Sequence, residues 1–206
     1  MIKHVSFKHG WFYHYRINLR KIDALCNTEF SNLKGYLTGL MNDCPEEPFL
    51  KGLRCSHIKD PLQTQLNEIC GHEISSFAER AHSTQDFKSA HSRVQLELLQ
   101  NDDSTLAVEV PVWTDETEKD LFSSETLSGH IDVLRIEDGL IWVWDYKPNA
   151  HLEKFADTQT FLYSLLLSKR ANIPLNKFRC GYFDEKRAYV FKPEEEFMRK
   201  IEGIKK

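Results

Sequence analysis

Residues 129–148 read GHIDVLRIEDGLIWVWDYKP and predict two antiparallel β-strands joined by a tight turn. The turn is Asp138-Gly139, which is one of the strongest signals for a two-residue hairpin loop. Such a loop fixes the register of the strands, so that Asp132 lies opposite Asp145. Directly opposed side chains have Cβ atoms roughly 4.5–5.5 Å apart. We therefore expect two carboxylates in close contact.

The alternation of the strands places both aspartates on one face together with Lys147, while the aromatic side chains point to the other face. Two ionised carboxylates at this distance repel each other. A shared proton or a divalent cation bound by hard oxygen ligands would offset the repulsion. The plain alternative is an ion pair at a strand end, in which Lys147 binds one aspartate and the other lies in water.

The flanking sequence predicts an α/β protein built around one sheet. Strands are expected at residues 105–113, 128–136, 140–147, 178–183 and 187–191, and helices at 86–100 and 153–170. Residues 23–79 are weakly helical in pattern, and the chain from Pro193 onward reads as a charged tail. The order is helix, three strands, helix and strand pair.

A carboxylate pair with a lysine suits metal-assisted hydrolysis of a phosphodiester. Mg²⁺ prefers oxygen ligands and keeps several waters, so two carboxylates can hold it and leave positions for a phosphate oxygen and the attacking water. The lysine can stabilise the negative charge that builds up in the transition state.

Three motifs in this region resemble the signature of the PD-(D/E)XK nuclease superfamily, in its RecB-type branch, which includes the CRISPR-associated exonucleases. They are G-x-x-D at Gly129 to Asp132, D-Y-K at Asp145 to Lys147, and Q-x-x-x-Y at Gln159 and Tyr163. The resemblance covers roughly residues 86–192. It implies a central mixed β-sheet flanked by helices, with the αβββαβ order of a restriction-endonuclease-like core.

The resemblance also implies roles for these residues. Asp132 and Asp145 would be metal ligands and Lys147 the catalytic lysine. Gln159 and Tyr163 would line the site and touch the DNA backbone.

The family also supplies a further ligand from the helix before the sheet. Glu97 is favoured here, with Gln95, His91 and the strand residue Glu109 as alternatives. His130 would either support the site from outside the ligand set or face solvent.

The expected cofactor is Mg²⁺ or Mn²⁺. Iron–sulfur members of the branch use one early cysteine and a late cluster of three, whereas only Cys180 follows the motifs here, so no iron–sulfur cluster is expected. The five cysteines are widely spaced and odd in number, which favours reduced, buried thiols over a disulfide framework.

The length and net charge of the chain bear on its domain organisation, its mode of nucleic-acid binding and its location. With 206 residues, the chain has room for a nuclease core at residues 86–206 and an N-terminal extension at 1–85. A net charge of -4 argues against coating nucleic acid by bulk electrostatics. No apolar stretch is long enough to span a membrane, and residues 1–22 lack the apolar core of a secretory signal, so we expect a cytoplasmic protein.

Residues 1–22 contain no acidic residue but several cations, histidines and aromatic residues. This composition is typical of a surface that combines phosphate contacts with base stacking. The alternative is an N-terminal strand or hairpin whose aromatic residues belong to the core.

The sequence thus predicts a metal-dependent deoxyribonuclease, acting as an exonuclease or a structure-guided nuclease in DNA processing, repair or defence. The expected partners are DNA and a helicase or other DNA-processing protein. One alternative is a sequence-specific restriction endonuclease, in which residues 23–85 would read the bases. Another is a nucleic-acid-binding module that keeps the fold without turnover.

Overall fold

A computed structural model of the protein describes residues 1–62, 64–83, 89–114 and 126–201. Within these ranges the strands are β1 (Ile2–His9), β2 (Trp11–Asn18), β3 (Leu53–Arg54), β4 (Asn67–Cys70), β5 (Thr105–Trp113), β6 (Leu127–Glu137), β7 (Leu140–Tyr146), β8 (Phe178–Phe183) and β9 (Arg187–Phe191). The helices are α1 (Leu19–Leu25), α2 (Ser31–Gly39), α3 (Glu47–Lys51), α4 (Glu73–His82), α5 (Ala90–Asn101) and α6 (Ala156–Ala171).

The described strands form one mixed sheet, in the spatial order β1-β2-β5-β6-β7-β8-β9-β4, with β3 beside β6. β7 and β8 are parallel. Parallel neighbours need a crossover connection, and α6 provides it. The predicted mixed sheet flanked by helices is therefore confirmed.

The β6–β7 hairpin has the predicted turn and register. Asp138 and Gly139 have φ angles of 52° and 69°, and two positive values are what a type I′ turn requires. Glu137 pairs with Leu140, and the same register continues along the strands to the pair Val133 and Trp144.

Helices cover the two faces of the sheet. Helix α6 packs within the larger hydrophobic core, and fourteen of its 16 residues are buried. Helices α4 and α5 cover the opposite face, where Phe77, Val94 and Leu98 pack with Val133 and Trp144. Every helix in the described part of the chain is too short or too polar to cross a membrane.

The sheet does not break at the predicted boundary between residues 85 and 86. The β1–β2 hairpin extends one edge through pairing of β2 with β5, and β4 forms the opposite edge through pairing with β9. Tyr15 and Ile17 are buried in the same core as α6. Residues before 86 are therefore an integral part of the sheet, because their strands satisfy the hydrogen bonds of its edges.

Three local predictions need correction. Helix α5 begins at Ala90, and residues 86–88 of the predicted helix lie outside the described ranges. Helix α6 begins at Ala156 rather than 153, because a 3-10 turn follows β7 and the Ala150 amide donates to the Asp184 carboxylate at 2.9 Å. The predicted charged tail is anchored by Phe197, which is buried against Phe161.

The cysteines follow the prediction only in part. Cys26, Cys55 and Cys180 are buried thiols, whereas Cys44 is half-buried and Cys70 lies exposed on β4. All five are unpaired with one another.

Candidate active site

Two buried aspartates lie side by side at the end of the β6–β7 hairpin. One step beyond the pair Val133 and Trp144, the register brings Asp132 opposite Asp145. Their side chains are almost inaccessible, with exposed fractions of 9% and 1% for the residues. The Tyr146 amide donates to Asp132 Oδ2 at 3.0 Å, which fixes one carboxylate against the backbone of the facing strand.

Lys147 and Gln159 hold the second carboxylate. Lys147 Nζ lies 2.7 Å from Asp145 Oδ2 and also donates to Gln159 Oε1 at 3.2 Å. Gln159 Nε2 donates to Asp145 Oδ1 at 3.1 Å and to the Tyr163 hydroxyl at 2.9 Å. Because an amide offers an acceptor and a donor, Gln159 binds the cation and the carboxylate at once. The structure thus brings four of the predicted site residues into one network.

Glu109 supplies a third carboxylate from β5. The pairs on either side, Val108 with Val133 and Val110 with Ile131, bring it opposite Asp132. Its backbone adopts a left-handed φ of 53° inside a strand, a conformation that costs roughly 1–3 kcal/mol for a non-glycine residue. The carboxylate accepts a 2.7 Å hydrogen bond from Gln95 Nε2 of α5. Strained backbone of this kind is frequent at functional sites.

Helix α5 contributes a histidine rather than a glutamate. His91 Nε2 lies 3.7 Å from Asp132 Oδ2, and its ring packs edge-on against Tyr146. His91 and Gln95 are four residues apart and therefore share one face of the helix. Burial lowers the pKa of His91, which keeps the imidazole neutral and able to bind a metal or accept a proton.

The structure does not bring Glu97 to the aspartates. Its carboxylate binds Arg80 at 3.2 Å and Asn101 at 2.9 Å. Glu97 lies two residues beyond Gln95, about 200° around the helix axis, so it faces away from the site. Of the predicted alternatives, the structure therefore places His91 and Glu109, rather than Glu97, beside Asp132.

The three carboxylates raise one another's pKa. Burial raises the pKa of Asp132 to about 7, and the nearby charge of Glu109 adds to the effect. Burial likewise raises the pKa of Asp145 to about 7, with a further contribution from Asp132. Burial also raises the pKa of Glu109, and Asp145 contributes to that shift. Ionisation of all three carboxylates is therefore unfavourable unless a cation binds between them.

Lys147 is the cation that the chain itself provides. Burial disfavours its charged form, but Asp145 and Asp132 outweigh burial and raise its pKa. The ammonium therefore stays protonated at neutral pH, which is the form that can stabilise an anionic phosphate.

A polar cluster beside Asp132 was not predicted from the sequence. His130 is buried rather than solvent-facing, and its Nε2 lies 2.9 Å from His9 Nδ1. The Tyr13 ring stacks on it at 3.7 Å. Arg54 lies 3.2 Å from His130 Nδ1 and donates to the Tyr13 hydroxyl at 2.7 Å. The cluster ties the N-terminal hairpin to the strand that carries Asp132, and no local motif marks Arg54 in the sequence.

Gly129 of the G-x-x-D motif has a packing role. A Cβ atom at this position would lie 2.2 Å from Cε1 of Tyr163. The tyrosine ring rests directly on the glycine backbone, and only glycine leaves room for it. The motifs on β6 and α6 are therefore interdependent.

We expect Gly129→Ala to lower the free energy of unfolding by about 1–3 kcal/mol, because the added methyl group must displace the ring of Tyr163. Urea denaturation measures the change. Gly35→Ala is the matched control, since no atom lies within 4 Å of the added Cβ in α2 and alanine favours a helix by roughly 0.5–1 kcal/mol. Equal stability of Gly129→Ala and the wild type would contradict this packing.

The residues present fit a hard divalent cation. Among the described residues, no three His, Cys, Asp or Glu side chains form a ready-made metal centre. Two buried carboxylates nevertheless face each other. Asp145 Oδ2 makes its ion pair with Lys147 but accepts no well-oriented hydrogen bond within the described structure. A cation bound by these oxygens would relieve their repulsion and satisfy the buried oxygen.

Comparison with known families agrees with this geometry. The PD-(D/E)XK nuclease superfamily matches residues 11–203, and the chain therefore belongs to that superfamily. The match begins within β2, so it includes most of the region before residue 86. No curated protein and no solved structure matches the chain significantly.

Proposed function

We propose that the protein is a metal-dependent deoxyribonuclease that hydrolyses phosphodiester bonds. The observation that carries the proposal is the convergence of Asp132, Asp145 and Lys147 at the end of one hairpin, within a fold of the PD-(D/E)XK superfamily. A buried ion pair generally stabilises a fold no more than a hydrophobic pair of similar size would. The buried carboxylates and the charged lysine are therefore better explained by function than by stability.

Asp132 and Asp145 would hold Mg²⁺ or Mn²⁺, and His91 or Glu109 would complete the ligand set. The bound ion would orient and activate the attacking water and neutralise charge on the phosphate. The hydrogen bond from the Tyr146 amide fixes the orientation of the Asp132 carboxylate, and the one from Gln159 fixes that of Asp145.

Lys147 would stabilise the negative charge that develops on the phosphate oxygens during hydrolysis. Gln159 keeps the ammonium beside the carboxylates through its carbonyl oxygen, and Tyr163 in turn fixes the orientation of Gln159. Gln159 and Tyr163 would therefore position the lysine. We also propose that both side chains contact the DNA backbone.

The motifs around Gly129, Asp145 and Gln159 favour the RecB-type branch and cleavage as an exonuclease or a structure-guided nuclease. A helicase or another protein that delivers processed DNA would be a compatible partner. A cytoplasmic location agrees with five cysteines that are not paired with one another.

A digestion assay tests the proposal. End-labelled linear DNA and closed circular DNA are incubated with Mg²⁺, Mn²⁺ or EDTA, and the Asp145→Asn protein is purified in parallel to control for contaminating nucleases. Metal-dependent loss of linear DNA alone supports an exonuclease. Discrete fragments would indicate a restriction-type enzyme. DNA binding without cleavage under any metal would refute the nuclease proposal.

A further inference from the structure

The tip of the β1–β2 hairpin exposes two aromatic side chains. Gly10 turns the chain with a φ of 78°, and the next residues, Trp11 and Phe12, are 76% and 60% exposed. Adjacent large apolar residues that remain in solvent on a rigid strand pair indicate a contact surface. Their neighbours in residues 1–22 include cations but no acidic residue.

One face of the tip is joined to the candidate active site. Trp11 pairs with His9, and directly opposed residues share a face of the hairpin. His9 stacks on Phe49 at 3.8 Å and binds His130, two residues before Asp132 on β6. These contacts fix the strand end before the hairpin turn to the strand that carries Asp132.

The other face carries the positive charge. Lys8 pairs with Phe12, Ser6 with His14 and His4 with Arg16, and all of these side chains are exposed except Arg16, which is half-buried. Arg16 pairs with Val108, next to Glu109 on β5, and burial lowers the pKa of its guanidinium although the Glu109 charge acts in the opposite direction.

Lys21 does not belong to this surface, although it is one of the cations of residues 1–22. Its ammonium donates to the Leu99 carbonyl at 2.8 Å and to the Asp102 carbonyl at 2.5 Å. Lys21 therefore caps the carboxyl end of α5, where carbonyl groups need donors. The cations on the face that carries Phe12 are Lys8 and Arg16, and Lys3 is exposed on the opposite face.

We propose that this hairpin tip binds unpaired bases of a DNA strand, which stack on Trp11 and Phe12 while Lys8 and Arg16 contact the phosphates. The inference rests on the proposed nuclease function and narrows its substrate class to DNA with a single-stranded segment. In a duplex, the flat faces of the bases are covered by their neighbours, so the exposed rings of Trp11 and Phe12, one on each face of the hairpin tip, can stack only on unpaired bases. The charged face supplies the electrostatic attraction that such a strand requires.

Fluorescence anisotropy in EDTA, which prevents cleavage, measures binding directly. The probes are a fluorescein-labelled single strand of about 20 nucleotides, long enough to span one binding groove, and its blunt duplex. The double variant Trp11→Ala/Phe12→Ala is expected to bind the single strand roughly tenfold or more weakly, with duplex binding within about twofold. Ile69→Ala, an exposed residue on β4 at the opposite edge of the sheet, is the control and should bind as the wild type.

Tryptophan fluorescence reports on the contact itself. Trp113 and Trp144 are buried and Trp142 is partly buried, so acrylamide quenches mainly Trp11. The single strand is expected to protect this fluorescence from quenching. Trp11→Phe, which retains a stacking ring, should lose the protected signal and keep most of the affinity.

The contribution of Lys8 to phosphate binding is measured from the salt dependence of the affinity for the single strand. Lys8→Ala should reduce the slope of log K against log salt by about 0.7 for each phosphate that the lysine neutralises in the wild type. Lys192→Ala, an exposed lysine after β9, should leave the slope unchanged.

The outcomes separate this inference from the proposed function. If the wild type cleaves DNA but the hairpin variant binds both probes as the wild type does, the hairpin inference is wrong and the nuclease proposal stands. Equal weakening for single strand and duplex would also overturn the inference, because stacking on unpaired bases would then not be the contact. If no metal supports cleavage and yet Trp11 is protected by the single strand, the hairpin inference stands and the nuclease proposal fails.

Discussion

Alanine at Asp145 is expected to lower the rate of DNA cleavage by about a thousandfold or more, with the fold intact. The carboxylate is buried between Asp132, Lys147 and Gln159, so its loss removes a proposed metal ligand and the partner of the lysine. The variant should also lose the thermal stabilisation that Mn²⁺ gives the wild type, because a ligand bound only by the folded state stabilises it by mass action.

Lys147→Ala separates metal binding from the stabilisation of the phosphate charge at this site. We expect a comparable loss of cleavage but retained, or slightly tighter, Mn²⁺ binding, because the substitution removes a positive charge 2.7 Å from Asp145. Single-turnover cleavage and Mn²⁺-dependent thermal shifts measure the two effects. Lys192→Ala serves as the charge control. Wild-type cleavage by homogeneous Asp145→Ala protein would show that the catalytic centre lies elsewhere.

The central hairpin could be predicted from sequence because its determinants are local. The Asp138-Gly139 turn and the period-two alternation of β6 and β7 together fix the register, and the register fixes which residues face each other. Gln159 and Tyr163 are marked by the Q-x-x-x-Y motif of the resemblance, and residues four apart share one face of a helix. The position of β4 beside β9, by contrast, does not follow from the order of the elements along the chain.

The remaining part of the site depends on contacts that no local pattern encodes. Glu109 lies opposite Asp132 through the pairing of β5 with β6, two strands whose register no short turn fixes, and its positive φ is not visible in the sequence. Arg54 reaches His130 from a two-residue strand in a region of weak pattern, and Tyr13 comes from the far edge of the sheet. Such side chains are positioned by tertiary packing, which overrides the local propensities that a sequence displays.

Glu97 is a residue that the sequence predicts at the site and that tertiary packing places elsewhere. Glu97 lies on the predicted helix, but the choice among helix positions requires knowledge of which face meets the sheet. The apolar residues Val94 and Leu98 define that face, and His91 and Gln95 flank it on the side of the aspartates. A helical wheel anchored on those two apolar positions would have favoured His91.

In the absence of metal, we expect Asp145→Asn to be more stable than the wild type, by a margin that grows as the pH rises from about 4 to about 7. In the folded protein, burial raises the pKa of Asp132 and of Asp145 from 3.8 to about 7, with a further contribution from the charge of Glu109 for Asp132 and from the charge of Asp132 for Asp145. In the unfolded chain both ionise near pH 4. Between these values the folded state binds more protons, so each carboxylate contributes a stability that is lost as the pH rises.

The comparison with Asp145→Asn isolates this effect from other titrations. Buried histidines act in the opposite direction, as with His9, whose pKa burial lowers to about 4. His9, whose pKa is set by burial and by Arg54, contributes equally to both proteins and cancels in the difference. The charge of Asp145 acts on the pKa of His91, so any change in the titration of His91 belongs to the measured effect. Asparagine keeps the shape of the side chain and removes the charge, so the expected gain at pH 8 is on the order of 1–3 kcal/mol.

Urea denaturation in EDTA at several values of pH between 4 and 8 measures this difference, with Asp103→Asn, an exposed aspartate, as the control. Mg²⁺ or Mn²⁺ should reverse the order of stability above pH 7, because the metal binds the two ionised carboxylates of the wild type, one of which the substitution removes. Metal affinity should accordingly rise as the pH passes through about 7. A stability difference that stays constant from pH 4 to 8 would mean that the aspartates ionise normally in the folded protein, and the repulsion on which the metal site depends would then be absent.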